Sequence, residues 1–213
     1  MRVLIDILHP AHVHFFRHAI REMGRRGDRV LVTARDKEVA LGLLRAYGIP
    51  HEVLTRRRGG GARLLGEWGI RCLRLARAAC AFRPDAMAGI MGAAIAPVGR
   101  WLRIPSVVFY DTESRRTGND LWYRLASLVV VPRCYRRRVG VPHLRYDGYH
   151  ELAYLHPARF TPDPAIRARL GVREGERYFI ARLVSWQAGH DTFLHGIADE
   201  GLDRILEVLR PHG

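Results

Sequence analysis

The sequence predicts an α/β protein: a Rossmann-like parallel sheet with helices on both faces, followed by the start of a second Rossmann-like domain. Three observations lead there. Short apolar runs that do not alternate in polarity, such as Arg2 to Ile7 and Ala86 to Ile90, read as strands buried on both faces. Helical patterns stand between them at a regular rhythm, as right-handed βαβ crossovers require. After Pro132 a turn-rich stretch breaks that rhythm before a fresh strand and helix pattern resumes.

The elements follow in order. Arg2 to Ile7 is a strand, and Leu8-His9-Pro10-Ala11-His12 is the loop that leaves it. Val13, Phe16, Ile20 and Met23 recur at helical spacing up to Gly24 and Gly27. Arg29 to Thr33 is a second strand, and Asp36 is placed to cap a helix through Leu41 and Leu44 to Gly48. His51 to Leu54 is a third strand. The basic loop Arg56-Arg57-Arg58-Gly59-Gly60-Gly61 then precedes a long helix with Leu65, Trp68, Cys72, Leu75 and Ala79 on one face. Pro84-Asp85 ends that helix. Strands at Ala86 to Ile90, Ser106 to Tyr110 and Leu128 to Val131 alternate with helices at Gly92 to Leu102 and Asp120 to Ser127. The expected boundaries are 1–145 for the first domain, 146–171 for a linker and 172–213 for an incomplete second domain. The linker carries short helices at Glu151 to Leu155 and Pro164 to Leu170; the second domain has a strand at Tyr178 to Val184 and a helix at Leu202 to Leu209.

Composition narrows the possible roles. A 48% hydrophobic fraction is enough for an ordinary core, and no apolar run reaches the roughly 20 residues that span a bilayer. Asp6 inside the first apolar run argues for a strand and against a signal peptide. Cys72, Cys80 and Cys134 are odd in number and form no C-x-x-C pair, so a reducing, cytoplasmic setting is expected. The net charge of +14 is carried by arginine, with Lys37 the only lysine, and favours anionic partners. No helix-turn-helix, zinc-finger or aromatic RNA-reading motif occurs, so sequence-specific nucleic-acid binding is not expected.

Ligands of open parallel sheets gather beyond the carboxyl ends of the strands. That rule selects His9 to His14, Arg35-Asp36, Gly89 to Gly92 and Asp111 to Glu113. Histidine suits general-base work near neutral pH, and a helix amino end offers free N–H groups to a phosphate. His9, His12 and His14 therefore either serve a ligand, His12 foremost, or cap and pack the start of the helix. His12-x-His14 with Asp6 is also similar to metal-dependent amidohydrolases, but their barrel needs about 250 residues and no metal is expected here. Asp111 and Glu113 either bind hydroxyls, one acting as base, or cap a helix and pair with Arg115 and Arg116. Arg71, Arg74 and Arg77 lie opposite the apolar side of the long helix, as a solvated face or as one that contacts an anionic membrane peripherally.

Residues Ile5 to Phe16 (IDILHPAHVHFF) and Val32 to Asp36 (VTARD) resemble the opening of a known family, domain of unknown function 354. The resemblance continues in order through Pro84-Asp85, Asp111-Thr112-Glu113, Gly148 to Leu155 (GYHELAYL), Phe160-Thr161-Pro162-Asp163, and Arg182, Trp186, Ala188 and His190-Asp191. That family is similar to GT-B nucleotide-sugar glycosyltransferases of the cell-wall type and to sugar 2-epimerases. The resemblance implies two Rossmann-like domains facing a cleft, the first holding an acceptor and the second the nucleotide of the donor. It implies His12 as the catalytic base, with Asp111 and Glu113 placing the acceptor. His9, His14 and Arg35 would line the same edge, and Glu151 and Tyr154 would face the cleft. Arg182, a phosphate partner, and His190 would lie beyond the second domain's first strand. The expected partners are a nucleotide sugar and a sugar or lipid-linked acceptor, with no other cofactor. A sugar-nucleotide 2-epimerase and a non-catalytic module for anions or membrane surfaces are the alternatives. The chain departs from the family where its second domain stops after about one βα unit, so a truncated, inactive fragment is expected; the sequence gives no oligomeric state.

Overall fold

Seven strands form in the computed structural model, which describes residues 1–37, 39–56, 62–113, 119–182, 197 and 199–212. They are β1 (Arg2–Ile7), β2 (Arg29–Asp36), β3 (Glu52–Arg56), β4 (Ala86–Ile90), β5 (Ser106–Phe109), β6 (Leu128–Pro132) and β7 (His143–Tyr146). All pair in parallel, in the order β3-β2-β1-β4-β5-β6-β7. The chain order reverses between β1 and β4, where Asp6 is in register with both Thr33 and Gly89. That reversal opens a crevice at the carboxyl edge of the sheet.

Helices α1 (Pro10–Arg25), α2 (Ala40–Ala46), α3 (Ala62–Phe82), α4 (Ile95–Leu102) and α5 (Asn119–Leu125) make the crossovers. Right-handed connections put α1 and α2 on one face and α3, α4 and α5 on the other. Two cores result. Ile5, Ile7, Val13, Phe16, Val32 and Leu44 fill the α1 side, while Leu4, Leu75, Met87, Ile95, Val108 and Val129 fill the α3 side. Each such side chain stabilises by about 1.5–3 kcal/mol on burial. Two glycines are fixed by close approach. Gly92 turns the chain out of β4 at φ +73, where a Cβ would lie 2.4 Å from Val108. A Cβ on Gly99 would lie 2.7 Å from the Ile104 carbonyl, so α4 can sit close against its strands.

Because side chains alternate along β1, Asp6 points with Leu4 toward α3 and is buried. Its oxygen accepts from the Thr33 hydroxyl at 2.7 Å and from the Arg71 guanidinium of α3. Arg71 also bonds the Thr55 hydroxyl, and Thr55 in turn bonds Glu67. Glu67 receives both arms of Arg35 at 2.6 Å each. Six polar residues from four elements thus close one buried network. The expected solvated stripe of Arg71, Arg74 and Arg77 is corrected at Arg71, while Arg74 and Arg77 are exposed. Arg71 is only 3% exposed, because the charge in β1 needs a counterion more than the helix needs an exposed arginine; Arg74, at the surface, also bonds the Leu54 carbonyl.

Other boundaries shift for local reasons. Asp36 does not cap α2: it ends β2 and forms an ion pair with Arg56 at 2.7 Å. Strand β7 and the short helix α6 (Leu152–Leu155) belong to a first compact unit, Met1–Phe160. The second unit, Thr161–Gly213, holds α7 (Ala165–Arg169), α8 (Asp199–Leu209) and a 3-10 turn at Arg210–His212. The strand expected at Tyr178 to Val184 is not formed over its described part, Tyr178 to Arg182, where the Tyr178 ring instead receives Arg167 at 5.6 Å.

Arg71→Leu should leave Asp6 charged and unpaired, at a cost of about 3–5 kcal/mol. Thermal unfolding should show a Tm lower by roughly 6–20 °C, with much of the loss recovered when Asp6→Leu is added. A single variant that melts within about 2 °C of the parent would contradict the network's importance.

Candidate functional site

The site is built where β1, β5 and β7 run out. Beyond β1, His9 takes the extended conformation of an N-cap, and its Nδ1 accepts from the Ala11 N–H at 3.2 Å. Pro10 then opens α1, a position that needs no donor. His12 lies one turn inside, and its Nδ1 accepts from the Leu8 N–H at 3.2 Å. The two imidazoles stand 6.0 Å apart.

His12 is buried, and burial pushes its imidazole down to about 3, helped by the positive charge of His9, His150, Lys37 and Arg71. The ring is therefore neutral at pH 7. With an N–H aimed at Nδ1, its own proton sits on Nε2. His14 turns away from both. Its Nδ1 meets the Tyr47 hydroxyl at 3.1 Å, and its ring packs 5.3 Å from Tyr154 of α6. Burial and Arg17 lower its pKa.

Asp111 follows β5. Its Oδ2 lies 2.7 Å from His150 Nδ1, and its Oδ1 accepts from the Thr112 hydroxyl at 3.2 Å. Burial alone would raise this carboxyl, but the His150 hydrogen bond and charge, with Thr112, outweigh it and hold the group below the usual carboxylate range. Glu113 diverges: its Oε1 accepts the Arg136 N–H at 3.0 Å. Arg115 and Arg116 lie outside the described residues.

His150 is the residue that sequence reasoning missed. It is buried in the loop after β7, with Phe15 edge-on at 4.6 Å and Tyr146 stacked at 6.3 Å. Its Nε2 and the Tyr146 hydroxyl are buried with no hydrogen-bond partner among the described residues. The motif Gly148-Tyr149-His150-Glu151 was visible. The strand before it was not, so His150 read as a turn residue rather than one beyond a strand's carboxyl end.

The remaining expected residues are dispersed. Arg35 is forked onto Glu67, so its guanidinium is committed to the interior. Glu151 is exposed at the start of α6 without a capping bond, and Tyr154 is half-buried against His14. Arg182 is exposed in the second unit, and His190 lies outside the described residues. Among the described residues no three His, Cys, Asp or Glu side chains gather to hold a metal, and no helix is long and apolar enough to cross a membrane. An apolar groove of about 750 Å³, lined by Val3, Phe15, Met87, Val107 and Phe109, lies on the sheet face; neither Asp111 nor His12 lines it.

A parallel sheet reversing between β1 and β4, with polar side chains collected at its carboxyl edge, defines a Rossmann-like domain of the GT-B kind. MurG from Acinetobacter baumannii is similar in structure, with a TM-score of 0.53 at 14% identity over 68% of this chain and 45% of that one. UDP-GlcNAc 2-epimerase from Neisseria meningitidis, bound to UDP-GlcNAc, gives a TM-score of 0.48 at 15% identity over 60% and 40% of the two chains. The spinosyn rhamnosyltransferase SpnG gives 0.49 at 17% identity over 70% and 51%. The chain thus spans about half the length of these structures or less. No curated protein sequence matches it. The chain belongs to the family described as Protein of unknown function (DUF354), whose profile matches residues 1–210.

The unfolded chain protonates His12 below its ordinary value of 6.5, whereas the folded chain resists protonation down to about 3. The folded pKa is depressed, so stability held by the neutral ring is complete above 6.5 and is lost as pH falls toward 3. Denaturant unfolding should register a loss of about 2 kcal/mol from this ring between pH 7 and pH 5, and His12→Gln should flatten that slope. An unchanged slope in the variant would contradict the buried, neutral state.

Proposed function

We propose that the first unit is the acceptor side of a GT-B-type enzyme that transfers a sugar from a nucleotide donor. One observation carries the reading. The carboxyl edge of the sheet holds a neutral imidazole with its N–H on Nε2, at His12, and an ionised carboxylate, at Asp111. A sugar hydroxyl both donates and accepts, so such an edge suits polyols. In this reading the acceptor hydroxyl bonds to the anomeric carbon as the bond from that carbon to the phosphate oxygen breaks. The nucleoside diphosphate leaves, and the hydroxyl proton passes to Asp111. His12 serves as a hydrogen-bond donor, because the Leu8 N–H occupies its Nδ1 and leaves it the Nε2 N–H to give. Glu113 steadies the loop through Arg136. His9 caps the helix beside this edge, and Glu151 and Tyr154 flank it from α6. Donor phosphates fall to Arg182 and His190.

The test is product analysis after incubation with UDP-GlcNAc and sugar acceptors. Asp111→Asn should slow formation of the glycosidic bond by about 10²-fold or more, and His12→Gln, which keeps a donor, should be milder than His12→Ala. An isomerised nucleotide sugar in place of a glycoside would establish epimerisation instead. Full turnover by Asp111→Asn would end this assignment.

A second feature bears on where the acceptor resides. With Glu67 and Arg71 turned inward, the outer face of α3 shows Leu65, Ile70 and Leu73, 72%, 50% and 62% exposed, with Arg77 continuing the face. An apolar helix face next to arginine fits an anionic bilayer. Changing all three apolar residues to Ser should reduce co-sedimentation with phosphatidylglycerol vesicles about tenfold. Equal sedimentation, or a dimer that the triple variant abolishes, would refute membrane docking.

A further inference from the structure

We propose that His150 is a positioning residue for Asp111, holding the carboxylate from behind so that Oδ1 is presented to a sugar hydroxyl at the sheet edge. The proposal rests on the acceptor-site reading above and assigns a role to a side chain outside it.

The geometry separates the two partners. The Asp111 side chain is 36% exposed, whereas that of His150 is 8% exposed. The bond at 2.7 Å runs from the ring to Oδ2, and the longer Thr112 hydroxyl contact, at 3.2 Å, goes to Oδ1. A carboxylate oxygen has two lone pairs, so Oδ1 keeps capacity for a ligand hydroxyl. His150 cannot itself exchange a proton with a ligand, because its Nε2 is sealed from solvent. Its effect must pass through Asp111. The exposed member of the pair is thus the acid and the buried member the imidazole.

Three elements hold the ring in place. Phe15 of α1 meets its face, Tyr146 of β7 stacks on it, and the chain after His150 folds directly into α6, where the Ala153 N–H bonds the His150 carbonyl at 3.1 Å. The loop after β7 is in this way tied to the end of β5, two strands away in the sheet. The titratable groups around the pair are His12 from α1, Tyr146 from β7 and Glu151 and Tyr154 from α6 and its start. The Tyr146 hydroxyl is pushed up chiefly by burial, with Asp111 and Glu151 adding to it, so it stays neutral beside the carboxylate.

The experiment is a carbon-13 titration of the Asp111 carboxyl in the full chain, paired with binding of N-acetylglucosamine as the probe. In His150→Phe the Asp111 midpoint should rise by about one pH unit or more, and probe affinity should fall as far as in Asp111→Asn. In His150→Asn, whose amide keeps a donor near the Nδ1 position, both should stay close to the parent. A purely structural role would make Phe and Asn equally harmful and leave the Asp111 midpoint in place; that result overturns the proposal. Should His150→Phe not fold, the coupling is read from the other side. Asp111→Asn must then shift the His150 ring-nitrogen signals, and unmoved signals overturn it equally. If N-acetylglucosamine binds no form, parent included, the acceptor reading fails, while the titration still decides whether His150 positions Asp111.

Discussion

The buried pair between Asp6 and Arg71 sets most of what is unusual in this domain. An acid in the central strand of a parallel sheet has no access to water, and unpaired it would cost several kcal/mol. α3 supplies the counterion from Arg71, Thr55 carries the network on from Arg71 to Glu67, and Glu67 pairs with Arg35. Closing that chain forces the amino-terminal half of α3 to face the sheet with its charges, and its leucines consequently face outward. Further along, Leu75 and Ala79 restore ordinary apolar packing. The same positive charge contributes, after burial, to keeping His12 unprotonated. One ionic contact thus links the packing of a helix, the apolar character of an exposed face and the protonation state of a site residue.

Strands β1 to β6 were legible because strands covered on both faces are largely apolar runs, and β4 and β6 are apolar throughout. β7 was not, because it is an edge strand of four residues, His143 to Tyr146, largely exposed and reached by a crossover without a helix. Missing it moved Gly148 to Glu151 from a strand end to a featureless turn, and His150 was lost with it. Periodicity found α3 but chose the wrong inner face in its first half. Spacing alone cannot reveal that a buried aspartate waits across the interface. Asp36 was misread for a related reason: β2 runs three residues further than its β-branched core, so a candidate cap became a strand residue.

The histidines of the β1 loop show how far residue type alone can carry a site. Three lie within six residues of sequence, yet the backbone gives each a different task. His9 caps a helix, His12 is locked neutral, and His14 packs between Tyr47 and Tyr154. In the proposed reaction the hydroxyl proton passes to the carboxylate of Asp111, whose partner comes from 39 positions further along the chain. Fold similarity to MurG places the chain in its architectural class, and it is the side chains at the carboxyl edge that argue for sugar chemistry.

The most direct test of that argument is to map ligand binding residue by residue. Amide spectra of the full chain should be recorded as N-acetylglucosamine and then UDP-GlcNAc are added. An acceptor site at the carboxyl edge predicts shifts concentrated at Leu8 to His12, Asp111 to Glu113 and Tyr149 to Glu151, saturating together. Shifts confined to the opposite edge, around Arg103 and Gly140, or none in either titration, would contradict it.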